Sequence, residues 1–147
     1  MKSRASLFDG GKARILSIDD DIAWSTCLTE ILGRAGYSIE CCASGAAARE
    51  SLRRQSPDLI IADIDLGQEN GLQLCEEIRA MPEAVDVPIL FLSGADIHDV
   101  VERAHQVGGT YYLRKPFDPE VLLDLVDRAL WMPHVVGNRA RETTAAF

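Results

Sequence analysis

Short apolar runs alternate along the chain with longer stretches in which apolar residues recur every three or four positions. The run RILSI at 14–18, bounded by acids, reads as a strand. Asp20 or Asp21 can cap a helix after it. Trp24, Cys27, Leu28, Ile31 and Ala35 then repeat at helical spacing and form its expected inward face. Gly36 supplies a left-handed stop. Residues 37–42 read as a second strand, and Ser44 caps an Ala-rich second helix that must end before Pro57. LIIA at 59–62 is wholly apolar, as a parallel strand covered on both faces is. Residues 63–70 read as a polar loop. A third helix follows with Leu74, Cys75 and Ile78 on one face, and Pro82 stops it. VPILFL at 87–92 is the fourth strand. Asp96 caps a fourth helix with Ile97, Val100, Val101 and Ala104 inward, ended by Gly108 and Gly109. Residues 110–113 form the fifth strand. Asp118 caps a last helix with Pro119 in the favoured first position, lined by Leu122, Leu125, Val126 and Ala129.

Strand–helix alternation of this kind predicts an α/β domain: a parallel sheet with helices on both faces and right-handed crossovers. Residues 13–131 make up the expected domain. Residues 1–12, polar and glycine-containing, read as a flexible arm, and residues 132–147, without sustained periodicity, as a tail. A chain of 147 residues suits one domain, and 47% apolar with 26% charged residues is ordinary globular usage, which excludes wholesale disorder.

The formal net charge of −8, with no basic stripe, argues against direct binding of nucleic acid or of an anionic membrane surface. No apolar run approaches the roughly 20 residues of a membrane span, and no secretory signal is visible, so a cytoplasmic location is expected. Cys27, Cys41, Cys42 and Cys75 form no CxxC pair and read as small buried apolar residues in a reducing compartment.

Open parallel sheets bind ligands beyond the carboxyl ends of their strands. Asp19, Asp20 and Asp21 follow the first strand, Asp63 and Asp65 the third, Ser93 the fourth, and Lys115 and Pro116 the fifth. Carboxylates converging on one mouth repel, and a hard divalent ion removes the conflict. Oxygen-only donors favour Mg²⁺. A metal-binding carboxylate beside a lysine and a hydroxyl is an arrangement for phosphoryl transfer.

The segments ILSIDDD (15–21), PDLIIADIDLGQENGL (57–72), PILFLSGA (88–95) and YLRKPF (112–117), in this order and at strand ends, resemble the receiver domain of bacterial two-component response regulators over roughly residues 13–131. The resemblance implies a (βα)5 flavodoxin-like doubly wound sandwich with strand order 2-1-3-4-5, as in a stand-alone chemotaxis-type receiver. It implies that Asp63 is the phosphoacceptor. Mg²⁺ is then coordinated by Asp20, by Asp19 partly through water, by Asp63, and by the backbone carbonyl of Asp65. Lys115 and Ser93 contact the phosphoryl group, Pro116 follows a cis bond, and Tyr112 is the aromatic switch residue that turns inward as Ser93 moves. A histidine kinase or histidine phosphotransfer protein is the implied donor. A downstream protein target, or a homodimer formed on phosphorylation, is reached through the face made by the fourth helix, fifth strand and last helix. The chain is then not an enzyme beyond catalysing its own phosphorylation and dephosphorylation.

Two positions depart from the family pattern. Gly67 stands where the family usually has Pro, and Asp65 where an apolar residue or Asn is common. The first predicts a more mobile loop, and the second a tuning of Mg²⁺ affinity and phosphoryl lifetime. Two other functions compete. Asp63-Ile-Asp65 resembles the nucleophile motif of haloacid-dehalogenase-like phosphohydrolases, but here the acidic pair comes first and no capping insertion is present. A phosphorylation-independent adaptor typically lacks the acid pair, the acceptor or the lysine, and all are present here.

Each residue also has a plainer reading. The aspartates can be helix caps, Ser93 a turn residue, Lys115 a solvated lysine, and Tyr112 core in competition with Tyr111. Trp24 reads as packing or as part of a kinase-docking surface at the start of the first helix. His98 and His105 read as surface residues. Residues 132–147 are too few for a folded output domain, which leaves a stand-alone receiver or part of a longer protein.

Overall fold

In the computed structural model the described residues are 13–94 and 111–131. The arm at 1–12, the fourth helix predicted from Asp96 with His98 and His105, and the tail at 132–147 lie outside them.

Five strands form one parallel sheet: β1 (Arg14–Ile18), β2 (Ser38–Cys42), β3 (Leu59–Asp63), β4 (Ile89–Ser93) and β5 (Tyr111–Arg114). Their order is β2-β1-β3-β4-β5, the doubly wound order expected. The register sets Ile18 beside Cys42 and Ala62, Asp63 beside Leu92, and Ser93 beside Arg114. The ends of β1, β3, β4 and β5 therefore lie at one margin.

The helices begin and end where their capping residues place them. Helix α1 (Ile22–Arg34) is capped by Asp21, whose carboxylate accepts from the Ala23 and Trp24 N–H groups, and Gly36 closes it at φ 97°. Helix α2 (Gly45–Arg54) is capped by Ser44 through the Ala47 N–H, and α3 (Gly71–Arg79) by Asn70 through Leu72 and Gln73. The C-terminal helix (Pro119–Trp131) opens with the Asp118 carboxylate accepting from Glu120 N–H.

Side chains alternate across the strands, so two cores flank the sheet. Leu16, Ile18, Ile60, Ala62 and Phe91 pack with α2 and α3. Ile15, Ile61, Leu90 and Leu92 pack with Leu28 and Leu32 of α1 and with Leu122, Val126, Ala129 and Leu130 of the C-terminal helix. Each wholly buried Leu or Ile contributes roughly 1.5–3 kcal/mol.

The structure corrects three expectations. On α1 the inward stripe is Trp24, Leu28 and Leu32 at four-residue spacing. Cys27 lies about 100° off that stripe and is exposed, and Ala35 is the exposed C-cap past the last turn. Cys41, on the edge strand β2, is also exposed, so only Cys42 and Cys75 are the buried apolar residues expected of all four. The polar loop at 63–70 contains a two-pair antiparallel hairpin, Asp65–Leu66 with Glu69–Asn70. Its Glu69 accepts from the Gly45 N–H at 2.8 Å, tying the loop to the start of α2.

Candidate functional site

The site is built on strand ends whose backbones are already satisfied. Asp19 leaves β1 with its N–H on the Cys42 carbonyl at 3.0 Å, which fixes its side chain over the sheet margin. Asp63 ends β3, and the next N–H, of Ile64, donates to the Leu92 carbonyl of β4. The Lys115 N–H donates to the Ser93 carbonyl at 2.8 Å, so the lysine leaves β5 directly beside the end of β4. The Lys115–Pro116 bond is cis, as expected.

The side chains converge from these anchors. Asp19 and Asp63 are 3% and 6% exposed, Ser93 is 1% exposed, and Asp20 is open to solvent. Carboxylate oxygens of Asp19, Asp20 and Asp63 all lie within 4.8 Å of one another. Lys115 Nζ donates to Asp19 Oδ2 at 2.9 Å and to Asp63 Oδ2 at 3.0 Å. The remaining oxygens are used as well: Asp19 Oδ1 accepts from the Asp21 N–H, and Asp63 Oδ1 from the Asp65 N–H at 3.1 Å.

Burial pushes the Asp63 carboxyl above its ordinary range. The Lys115 and Asp65 hydrogen bonds offset part of that, and Asp19 adds to it. Burial alone would lower Lys115, but its hydrogen bonds to Asp19 and Asp63 more than reverse this, and its ammonium is held above the usual lysine value. One ammonium among three carboxylates leaves two negative charges uncompensated. A single divalent cation would neutralise them, and an all-oxygen donor set fits Mg²⁺.

Asp65 lies apart from this group. Its carboxylate accepts from the Gly67 N–H at 3.1 Å, and its backbone follows Asp63 by two residues. Gly67 sits at φ 72°, a conformation closed to proline, and a Cβ there would stand 2.9 Å from Asp20 Oδ2. The departure from Pro thus belongs to a loop that turns the other way and rests against an acid of the site. Tyr112 is buried in the α2–α3 core and Tyr111 in the opposite one, so the two do not compete for one face.

Sequence reasoning missed one contributor and did not place a second beside Lys115. A Cβ on Gly71 would collide with the Asp63 carbonyl and come within 2.8 Å of Ile64 Cα, so α3 can approach the backbone at Asp63 only through glycine. The glycine in the NGL run was the available signal. The second is Trp24. Its ring lies 4.8 Å from Lys115 Nζ and 5.2 Å from the Phe117 ring. Beside Asp19 and Asp20 opens a groove of about 490 Å³, lined among others by Ile22, Ser25, Thr29 and Cys41.

Known proteins resemble this chain in sequence and in fold. The family model of the response regulator receiver domain matches residues 15–127. Response regulator MprA of Mycobacterium leprae is 38% identical over 112 residues, 75% of this chain and 47% of its own length. Transcriptional regulatory protein ZraR of Escherichia coli O157:H7 is 30% identical over 90% of this chain and 30% of its own length. The chain therefore spans less than half of these curated relatives. The structure of chemotaxis response regulator CheY4 of Vibrio cholerae superposes with a TM-score of 0.75 at 30% identity, covering 80% of this chain and 98% of that one. Among the described residues no helix is long and apolar enough to cross a membrane.

Proposed function

Because this chain belongs to the response regulator receiver family, we propose that it is a phosphorylation-controlled switch whose phosphoacceptor is Asp63. The observation that carries this reading is Lys115 Nζ bridging Asp19 and Asp63 beside the third carboxylate, Asp20. The donor is a phosphohistidine on a kinase or phosphotransfer protein. An Asp63 carboxylate oxygen attacks the phosphorus. The new O–P bond forms as the donor's N–P bond breaks, and the released imidazole nitrogen takes a proton.

The chain's own residues prepare this step. The Asp65 N–H and Lys115 hold the Asp63 carboxylate in one orientation, and burial strips it of competing water. Lys115, already poised between the two acids, passes to the incoming phosphoryl oxygens. The Ser93 hydroxyl, at the adjacent strand end, hydrogen-bonds the transferred group. Asp19, Asp20, Asp63 and the Asp65 carbonyl are the residues that would hold Mg²⁺, which when bound neutralises charge on the phosphoryl oxygens. The groove beside Asp19 and Asp20, with Ile22 82% exposed at its edge, gives the donor protein a surface to lie against.

The output is a change in protein contacts made through β5 and the C-terminal helix, to a target or to a second copy of the chain, as Tyr112 and Ser93 shift together. The chain has no catalytic turnover of an external substrate in this reading. Asp65, turned onto its own loop, is not presented as the second acid of a phosphohydrolase.

Intact-mass spectrometry after incubation with a small phosphodonor tests the proposal. A gain of one phosphoryl group that requires Mg²⁺ and disappears in Asp63→Ala is expected. Steady hydrolysis of an added phosphomonoester, with no covalent gain, would overturn it.

A further inference from the structure

The acids and the lysine of the site arrive from opposite ends of the chain, 96 residues apart between Asp19 and Lys115. What holds them in register is partly aromatic. Trp24 stands in the first turn of α1, where the Asp21 cap receives its N–H at 3.4 Å. Phe117 follows the Lys115–Pro116 bond, and its ring meets Trp24 at 5.2 Å with a 40° tilt. Lys115 Nζ lies 4.8 Å from the Trp24 ring centre, and only 9% of the lysine side chain is exposed.

A lysine stem is long and flexible, and its ammonium is strongly hydrated. Two hydrogen bonds to carboxylates leave its third N–H and its remaining flank to be covered. Here that cover includes an indole face, the strongest cation–π partner among the aromatic side chains, in a site largely closed to water. The ring therefore does more than fill space. It stabilises the ammonium where it is and denies it the water that would draw it outward.

We propose that Trp24 is a positioning residue for phosphoryl transfer: with Phe117 as brace, its ring confines the Lys115 ammonium to the point between Asp19 and Asp63 where the incoming phosphoryl oxygens arrive. This rests on the reading of Asp63 as phosphoacceptor. It assigns Trp24 a role at the reacting centre itself, apart from any contact with a donor protein. A small phosphodonor therefore isolates that role, because it docks on no helix surface.

The test compares wild type, Trp24→Leu and Trp24→Phe by two readouts, at a temperature where all three are folded by circular dichroism. The first is the rate of Asp63 phosphorylation by acetyl phosphate at saturating Mg²⁺. The second, taken without donor, is the NMR shift of the Lys115 ε-methylene protons, which an indole face moves upfield. Trp24→Leu is expected to phosphorylate about tenfold more slowly and to lose the upfield shift. Trp24→Phe, which keeps a ring over the cation, is expected to stay within about threefold of wild type and to keep part of the shift. The shift reports that the ring faces the cation; a merely structural role would lower thermal stability and leave the phosphorylation rate unchanged. Wild-type phosphorylation matched within twofold by Trp24→Leu overturns this proposal alone. Absence of phosphorylation in the wild type overturns the receiver reading, and this proposal with it.

Discussion

Replacing Asp63 by Asn should stabilise the fold when no divalent ion is present. Asp63 is 6% exposed and shares its surroundings with two other acids within 4.8 Å. At an effective dielectric of about 20, repulsion from buried Asp19, no farther than that, is at least about 3.5 kcal/mol, and attraction to Lys115 at 3.0 Å is about 5.5 kcal/mol. Asp20, open to solvent, adds about 1 kcal/mol of repulsion at the dielectric of water. These contributions nearly cancel, so the cost of burying the carboxylate, still several kcal/mol per ion after relaxation, decides the sign. Asn keeps the size of the side chain and an oxygen to accept from Lys115 or the Asp65 N–H, and it removes the charge. A gain of about 1–2 kcal/mol follows, which corresponds to a rise in Tm of roughly 3–8 °C.

The pH dependence has a definite sign. Burial holds the Asp63 carboxyl above its ordinary range, so the folded chain takes up this proton more readily than the unfolded one. Ionised Asp63 therefore costs stability at neutral pH, and the cost fades as pH falls through the folded value. Urea unfolding of both proteins in chelator at pH 7 and again in mild acid measures it. The Asn variant should lead at pH 7, and its lead should shrink in acid. Added Mg²⁺ should stabilise the wild type more than the variant and close the gap. Equal or lower stability of Asp63→Asn at pH 7 in chelator would refute the reasoning, because the buried acid would then carry no net electrostatic cost.

Other substitutions probe the frame around the site. Gly67→Pro should weaken Mg²⁺ binding at least severalfold by calorimetry, since the φ of 72° and the approach to Asp20 both exclude the ring; unchanged affinity would show that the loop rearranges freely. Gly71→Ala should lower stability by about 1–3 kcal/mol in urea unfolding, because the added methyl group meets the Asp63 carbonyl. A thiol reagent should label two cysteines, Cys27 and Cys41, in the native protein. Cys42 and Cys75, buried and with thiols pushed up to about 11 and about 12, should react only after unfolding.

Much of the fold was legible because local signals and burial agreed. LIIA at 59–62 is wholly buried, Asp21 and Ser44 cap as their positions suggest, and Gly36 adopts the left-handed stop. The chemical residues were legible because chain order alone sets Asp19, Asp63, Ser93 and Lys115 at strand ends. Tertiary geometry was harder to read. Periodicity could not say whether Cys27 or Leu32 shares the stripe with Leu28, since the two lie only about 100° and about 40° from it. Nor could it show that strand β2 is an edge, which leaves Cys41 exposed. The roles of Gly71 and Trp24 depend on what approaches them from distant parts of the chain, the Asp63 carbonyl in one case and Lys115 in the other.

The central claim is that the phosphoryl group goes to one particular carboxylate among several that crowd the same mouth. Reduction of the phosphorylated protein with borohydride converts an acyl-phosphate aspartate to homoserine, which peptide mass spectrometry locates. Homoserine at position 63, and at no other aspartate, is the predicted result. Homoserine at 19, 20 or 65, or a phosphoryl group retained on a hydroxyl or imidazole side chain, would contradict it.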